Sequence, residues 1–88
     1  MARLEFNTAE MAGLGGQDNA DILFEMGMMY ATGRDCEIDL VAAHKWFNIP
    51  AIKGAPRAAT LRAEIAQSMS KAELARALRE AREWMTMH

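Results

Sequence analysis

Apolar residues recur three or four positions apart along the chain from residue 20 onward, and alternation of apolar and polar residues never persists. At 100° per residue, this spacing places the apolar residues of a segment on one face, which is typical of amphipathic α-helices. Glycine, proline and capping residues divide the pattern into four segments, at residues 20–31, 40–53, 56–68 and 71–86. The pattern therefore predicts an all-α fold of about four helices.

The segment before the first predicted helix is rich in glycine. Residues 1–18 end in the sequence GLGGQD and are predicted to form a flexible N-terminal arm, with the helical domain at 19–88. Asp18 or Asn19 is expected to cap the first helix, because a short polar side chain can accept a hydrogen bond from a free N–H group. Gly33 is expected to end the helix in a left-handed conformation. The apolar face comprises Leu23, Met26, Gly27 and Tyr30.

The second predicted helix carries two aromatic residues and an internal proline. Asp39 stands in the position of its N-cap. Pro50 lacks an N–H group and crowds the carbonyl of Trp46, which costs ~3 kcal/mol in a helix interior. A kink is therefore expected there, or a helix that ends near Ile49 and restarts. The apolar stripe, which directs the aromatic pair inward, comprises Leu40, Ala43, Trp46, Phe47 and Pro50.

The last two predicted helices begin at start signals. Pro56 suits the first turn of the third helix, and Ser70 with Glu73 forms the S-x-x-E capping box of the fourth. The fourth helix also carries the i,i+4 pairs Arg76–Glu80 and Arg79–Glu83, which are typical of a solvated surface. The expected apolar faces are Ala59, Leu61, Ile65 and Met69 in the third helix, and Leu74, Ala77, Leu78, Ala81 and Met85 in the fourth.

The charge of the chain is small but unevenly distributed. Its 88 residues indicate one domain with a thin core, since a chain of this size buries only about 60% of its unfolded surface. The net charge of -2 combines -4 over residues 1–55, from four basic and eight acidic side chains, with +2 over 56–88, from six and four. Opposite charges at the two ends favour head-to-tail or partner contacts, whereas +2 is too little for a nucleic-acid surface.

Cysteine content and hydropathy indicate a compartment. The one cysteine, Cys36, excludes an internal disulfide and fits a reducing environment. The first residues lack the apolar run of a signal peptide, and no stretch approaches the ~18 apolar residues of a membrane span. The expected location is therefore the cytoplasm, without membrane attachment.

A set of small, aromatic and capping residues stands at fixed offsets through the first two predicted helices. Counting from Ala20, the chain reads A-x-I-x-x-x-M-G-x-x-Y-x-x-G, then Asp39, then A-x-x-W, then Ala51, Gly54 and Ala58. This resembles one unit of the Sel-one-like repeat (SLR), a helix-turn-helix relative of the tetratricopeptide repeat. The 38 residues from Ala20 to Ala58 are close to the length of such repeats. The signature positions are Gly27, Tyr30, Gly33, Asp39, Ala43, Trp46, Gly54 and Ala58.

The resemblance implies an antiparallel helix-turn-helix fold, with one full unit at 20–54 and a degenerate capping half-repeat at 56–88. Gly27 would let the two helices of the unit touch, with Ala43 as the small residue opposite it and Tyr30 and Trp46 filling the wedge. The third helix lacks the L-G-x-x-Y signature. Because stacks of this class need about three units, one and a half units indicate a truncated stack, a small closed bundle or self-association. The departures are Met26, Asp35 and Pro50, where the family has leucine, a second loop glycine and alanine.

For function, the resemblance implies a protein–protein interaction module, a small adaptor or scaffold without chemistry of its own. The first helix of each unit lines the concave side of such stacks. The expected partner surface on this helix comprises Asp21, Phe24, Glu25 and Met28. The alternative is that Phe24 and Met28 are covered by the N-terminal arm through Leu4, Phe6 or Met11. The identity of the partner does not follow from the sequence.

Catalytic and metal-binding patterns are weak. Cys36 and His44 could imitate a nucleophile and its base, but a loop and a cap separate them and no third group orients the histidine. His44 is expected to be half-exposed on the flank of the second helix. His44, His88 and Asp39 lack metal-ligand spacing, and no pattern points to a cofactor. The sequence therefore indicates no enzyme activity.

The alternative function is that of a DNA-associated regulatory protein. Its surface would be the fourth helix, which presents Arg76, Arg79 and Arg82. Glu73, Glu80 and Glu83 interleave with these arginines in the sequence and argue against a surface that follows phosphates. Salt discriminates the two functions, because binding to nucleic acid weakens steeply with ionic strength.

Overall fold

The computed structural model describes residues 16–87, and within that range the chain is all-α, as predicted. Its four helices are α1 (Gly16–Thr32), α2 (Leu40–Ile52), α3 (Pro56–Ala66) and α4 (Lys71–Met87). The first 15 residues of the predicted arm, with the alternative contacts of Leu4, Phe6 and Met11, lie outside the described residues.

Helix α1 begins earlier than predicted. Its first residue is Gly16, so Asp18 and Asn19 lie within the helix and the prediction that one of them caps it is wrong. Glycine is accepted at helix starts, so the glycine-rich stretch is compatible with a helix that begins at Gly16.

Helix α2 occupies the centre of the fold, because each of the other three helices packs against it. Helices α1 and α2 pack antiparallel, since Leu23, in the first half of α1, shares a cluster with Ile49, late in α2. At the other end, the N–H of Asp39 donates to the carbonyl of Tyr30 at 3.0 Å. A helix enclosed in this way is expected to be apolar on most of its circumference, and α2 is.

The remaining two helices also pack on α2, and their chain directions are opposite to each other. Helix α4 runs parallel to it, since Val41 clusters with Ala77, whereas Ile49 clusters with Ala81 further along. Helix α3 packs on α2 and is joined to it by a hydrogen bond from Arg62 to Asn48. The two apolar clusters consist of Leu23, Ile49 and Ala81 with Met26, Trp46, Trp84 and Met85, and of Val41, Met69 and Ala77 with Leu40, Ile65 and Leu74.

The interface between α1 and α2 depends on a glycine. A Cβ atom at Gly27 would lie 2.6 Å from Cδ1 and Cε1 of Phe47, so the ring occupies the space that a side chain would need. This confirms that Gly27 permits close approach, but the side chain against it is Phe47, whereas the resemblance implied Ala43. Phe47 is 1% exposed, and Trp46 is half-buried with its ring edge-on to Trp84 at 5.7 Å between centroids.

The predicted start signals of α2 and α4 are confirmed. The N–H of Ala42 donates to the Asp39 carboxylate at 3.0 Å. At α4, the N–H of Ser70 donates to Glu73 Oε1 at 2.8 Å and the N–H of Glu73 donates to Ser70 Oγ at 3.1 Å. Each bond satisfies an N–H group that the first turn of a helix leaves free.

The predicted stop of α1 is also confirmed. Gly33 has φ of +77°, and Met29 accepts hydrogen bonds from the N–H groups of Gly33 and Arg34 at 2.8 and 3.1 Å. Asp35, which stands at the second loop glycine of the resembled repeat, has φ of +62°. Aspartate tolerates the left-handed region better than most residues, so Asp35 can adopt this conformation without a glycine.

Pro50 does not end α2, and the expectation that the helix stops near Ile49 and restarts is wrong. The helix is continuous to Ile52. Pro50 lies two residues before that end and is fully buried, while its carbonyl accepts a hydrogen bond from the N–H of Ala55 at 3.0 Å. Burial of the ring offsets part of the missing helical hydrogen bond.

Helix α3 begins at Pro56, as predicted, and ends at Ala66, two residues earlier than predicted. Residues 67–69 continue as a turn whose N–H groups bond to carbonyls three positions back, at 3.0 to 3.3 Å. The deepest residue of α3 is Ala58, which is fully buried, while Ala59, Leu61 and Ile65 of the predicted face are half-buried.

Candidate partner-binding surfaces

The predicted partner surface on α1 divides into two parts. Asp21 and Glu25 are exposed, whereas Phe24 and Met28 are half-buried. The Phe24 ring packs against Phe47 with 5.5 Å between centroids. Phe24 is therefore anchored in the core and presents only part of its ring to the outside.

A groove lies between α1 and the start of α3. Its volume is about 220 Å³, and the guanidinium of Arg57 stands 5.0 Å from the centroid of the Phe24 ring. This α1–α3 groove is lined by Ala20, Asp21, Phe24, Ala55, Pro56, Arg57 and Ala58. It combines an apolar floor with one acidic and one basic side chain.

The structure brings together two of the four predicted surface residues in this groove, Asp21 and Phe24, while Glu25 and Met28 are not part of its lining. Glu25 forms an exposed ion pair with Arg34 at 3.5 Å, and such pairs contribute little to stability. Arg57 is the residue that sequence reasoning missed. No sequence pattern pointed to it, because Arg57 reaches the groove only through the placement of α3 beside α1.

A second depression, the acidic cleft, lies between the α1–α2 loop and the start of α4. It has a volume of about 510 Å³, and no lysine or arginine of the described residues lines it. Ile38, in its wall, is 62% exposed. The lining residues are Tyr30, Cys36, Glu37, Ile38, Asp39, Leu40, Val41, Ser68 and Glu73. Sequence reasoning had assigned Asp39 and Glu73 only to helix caps.

His44 lies in a polar interior between α2 and α3, and the expectation that it is half-exposed is wrong. It is 4% exposed, and its Nδ1 has no hydrogen-bond partner among residues 16–87. Burial lowers the pKa of His44, and the charge of Arg62 lowers it further. Asn48, also buried, accepts the hydrogen bond of Arg62. The flank of α2 that holds His44 is therefore covered by α3.

The other predicted candidates for chemistry are dispersed. The Cys36 thiol lies in the α1–α2 loop, 3.6 Å from the carbonyl oxygen of Met29, and His88 is outside the described residues. Among residues 16–87, no three side chains of His, Cys, Asp or Glu are grouped so that they could hold a metal ion. No helix in that same range is both long and apolar enough to cross a membrane.

The charges of α4, interleaved in the sequence, separate only in part around the helix, since Arg76 lies among the acids and Glu83 lies about 40° from Arg79 at 100° per residue. Nε of Arg76 donates to Glu80 Oε2 at 2.9 Å, which confirms that predicted pair, but no ion pair joins Arg79 to Glu83 or Arg82 to any described acid. At 100° per residue, five residues form a continuous basic stripe. The basic stripe comprises Lys71, Ala75, Leu78, Arg79 and Arg82, all exposed.

A scan against protein-family models, a search of curated proteins and a search of solved structures each found no match to this chain. The positions of the repeat signature nevertheless have distinct physical roles in the structure. Gly27 contacts Phe47, Gly33 is left-handed and Asp39 is an N-cap. Ala43 and Ala58 are fully buried.

Proposed function

We propose that this protein is a non-catalytic protein–protein interaction module, a small adaptor or scaffold of the SLR type, and that its partner binds in the α1–α3 groove. The observation that carries the proposal is the position of Phe24. Its ring is held by Phe47 on one side, while its remaining surface lines the groove between Asp21 and Arg57.

The size of the groove favours a protein segment as the occupant. Pockets that enclose small molecules commonly have volumes of about 300–1,000 Å³, and this groove, at about 220 Å³, is smaller. It has room for an apolar anchor side chain of a partner, with Asp21 and Arg57 available to pair with charges beside that anchor. Anchors of this kind provide much of the binding energy in protein interfaces.

The walls of the groove belong to helices that are both packed on α2. A surface carried by packed helices loses little conformational entropy when a partner binds. The roles of Gly27, Gly33 and Asp39 in the structure agree with the repeat resemblance, and that resemblance implies a scaffold or adaptor. The packed walls of the groove and the repeat resemblance therefore both support an interaction module.

The second candidate is a DNA-associated regulator that binds through α4. The basic stripe favours it, because Lys71, Arg79 and Arg82 are exposed on one side of the helix. Arg76 does not contribute to this stripe, since its guanidinium is paired with Glu80. Three charges give a weak and strongly salt-dependent attraction to phosphates.

An affinity pull-down with charge variants tests the proposal. Asp21→Lys and Arg57→Glu alter the groove at exposed positions, and Glu64→Lys is the matched control on the exposed surface of α3. We expect the wild type and the control to retain one protein through a high-salt wash, and the two groove variants to lose it with unchanged melting temperature. Retention by all four proteins would refute the groove, and recovery only of salt-labile, nuclease-sensitive material would favour the DNA-associated function.

A further inference from the structure

Two described surfaces of this chain have opposite charge and matching apolar centres. We propose that they bind each other between copies: the basic stripe of one molecule docks in the acidic cleft of the next. The proposal goes beyond the proposed function, because neither surface includes the α1–α3 groove.

The cleft offers a negative surface with an apolar wall. Glu37, Asp39 and Glu73 place three carboxylates in its lining. Ile38 is largely exposed there, and Leu40 and Val41 lie beside it. Two of the carboxylates also cap helices, whereas Glu37 forms no ion pair with any described residue. An occupant needs positive charge close to an apolar side chain.

The basic stripe meets this requirement. Lys71, Arg79 and Arg82 carry three positive charges, and Leu78, which is 45% exposed, lies among them. Because the exposed Glu83 lies about 40° from Arg79, this flank carries a net charge of about +2 against the three carboxylates of the cleft. Complementary patches of this kind guide association and fix its register, while the Leu78–Ile38 contact would remove apolar surface from water.

The geometry of α4 excludes docking of the stripe within one molecule. Glu73 belongs to the cleft and lies on the same helix as the stripe, about 140° to 180° around its axis from Leu78 and Arg82 at 100° per residue. The flank of α4 that lines the cleft and the flank that carries the stripe therefore cannot both face the same cleft. The stripe therefore needs a cleft on another copy, and the contact builds either a reciprocal dimer or a head-to-tail ring or chain.

Sedimentation equilibrium of the purified full chain tests the proposal without any partner. At about 0.1 M salt the average mass should rise with protein concentration above that of the monomer. At about 1 M salt, where the Debye length falls to about 3 Å, it should return to that of the monomer. A chain that stays monomeric at low salt, or an association that persists at high salt, would overturn the proposal.

Charge-reversal variants identify the two surfaces. Glu37→Arg reverses the uncommitted cleft carboxylate and spares both caps, and Arg79→Glu with Arg82→Glu reverses the stripe. Each should weaken self-association at least about tenfold, while an equimolar mixture of the two should form dimers, because the intact stripe of the cleft variant meets the intact cleft of the stripe variant. Glu64→Arg is the control and should associate as the wild type does.

Two outcomes of this set contradict the proposal. Failure of the mixture to associate would show that the stripe and the cleft are not partners. A stripe variant that self-associates normally but loses binding to a labelled DNA duplex would assign the stripe to nucleic acid instead. Neither outcome affects the groove, whose test uses Asp21 and Arg57.

Discussion

The two sides of α2 are packed by different means. Toward α1, the absence of a side chain at Gly27 lets the Phe47 ring approach the helix backbone, and the contact is apolar. Toward α3, the interior contains His44 and Asn48, both at most 5% exposed, with Arg62 as hydrogen-bond donor. The first interface depends on shape, and the second on whether its polar atoms find partners. The two should therefore respond differently to truncation and to pH.

The largest effect is expected from Phe47→Ala. It removes a ring that is 1% exposed and that contacts both Gly27 and Phe24. Truncation of a buried phenylalanine costs about 3–5 kcal/mol, which is a large part of the about 5–15 kcal/mol that stabilises a typical domain. Urea unfolding measures the change. A loss below about 1 kcal/mol would mean that the α1 interface does not depend on this ring.

A smaller loss, of about 1–3 kcal/mol, is expected from Arg62→Met. This change keeps much of the side-chain length but leaves the buried Oδ1 of Asn48 without its donor. The double variant Arg62→Met with Asn48→Leu removes both polar partners and should recover most of the loss. If the single and double variants are equally destabilised, packing rather than hydrogen bonding governs the α3 side.

Gly27→Ala distinguishes shape from helix propensity. Alanine in a helix interior is favoured over glycine by about 1 kcal/mol, but the new Cβ would lie 2.6 Å from two ring atoms of a buried side chain. Overpacking of about 1–3 kcal/mol should exceed the gain and lower stability by up to about 2 kcal/mol. In a Phe47→Leu background the same change should become neutral or stabilising, since the ring that blocks it is gone. Stabilisation of the otherwise wild-type chain by Gly27→Ala would contradict the close contact.

Local features of this fold could be predicted from the sequence, and tertiary partners could not. The Asp39 cap and the Ser70–Glu73 box involve residues at most three positions apart, so a short pattern contains all the groups that bond. Gly27 was predicted to permit close approach, but the choice of Phe47 over Ala43 depends on how α1 and α2 are rotated about their axes. The sequence pattern does not fix that rotation.

The polar interior and the candidate surfaces show the same limit. His44 stands beside Lys45 on the flank of a helix wheel, and its burial follows only from the position of α3, whose Arg62 is 18 residues away. The α1–α3 groove could be predicted in part, through Asp21 and Phe24. Its Arg57 could not, because that residue reaches the groove only when α3 lies beside α1.

The smallest change in stability is expected from a change in pH, because protonation of His44 removes no side chain from the interior. The pKa of His44 is lowered in the folded state by burial and by Arg62, whereas the unfolded chain should titrate near its ordinary value of about 6.5. Above that value neither state binds the proton. As the pH falls below it, the unfolded state takes up the proton first, so stability decreases until the pH has passed the folded-state pKa.

Urea unfolding at a series of pH values, in a His88→Gln background that leaves His44 as the remaining histidine, checks this prediction. His44→Leu should abolish the decrease in stability just below pH 6.5, and Arg62→Met should make it smaller, because the folded-state pKa then lies closer to the unfolded one. The Phe47→Ala variant should keep the same pH profile at lower stability. If His44→Leu leaves the pH profile unchanged, another group causes the loss of stability in acid. The two sides of α2 would then not differ in their response to pH.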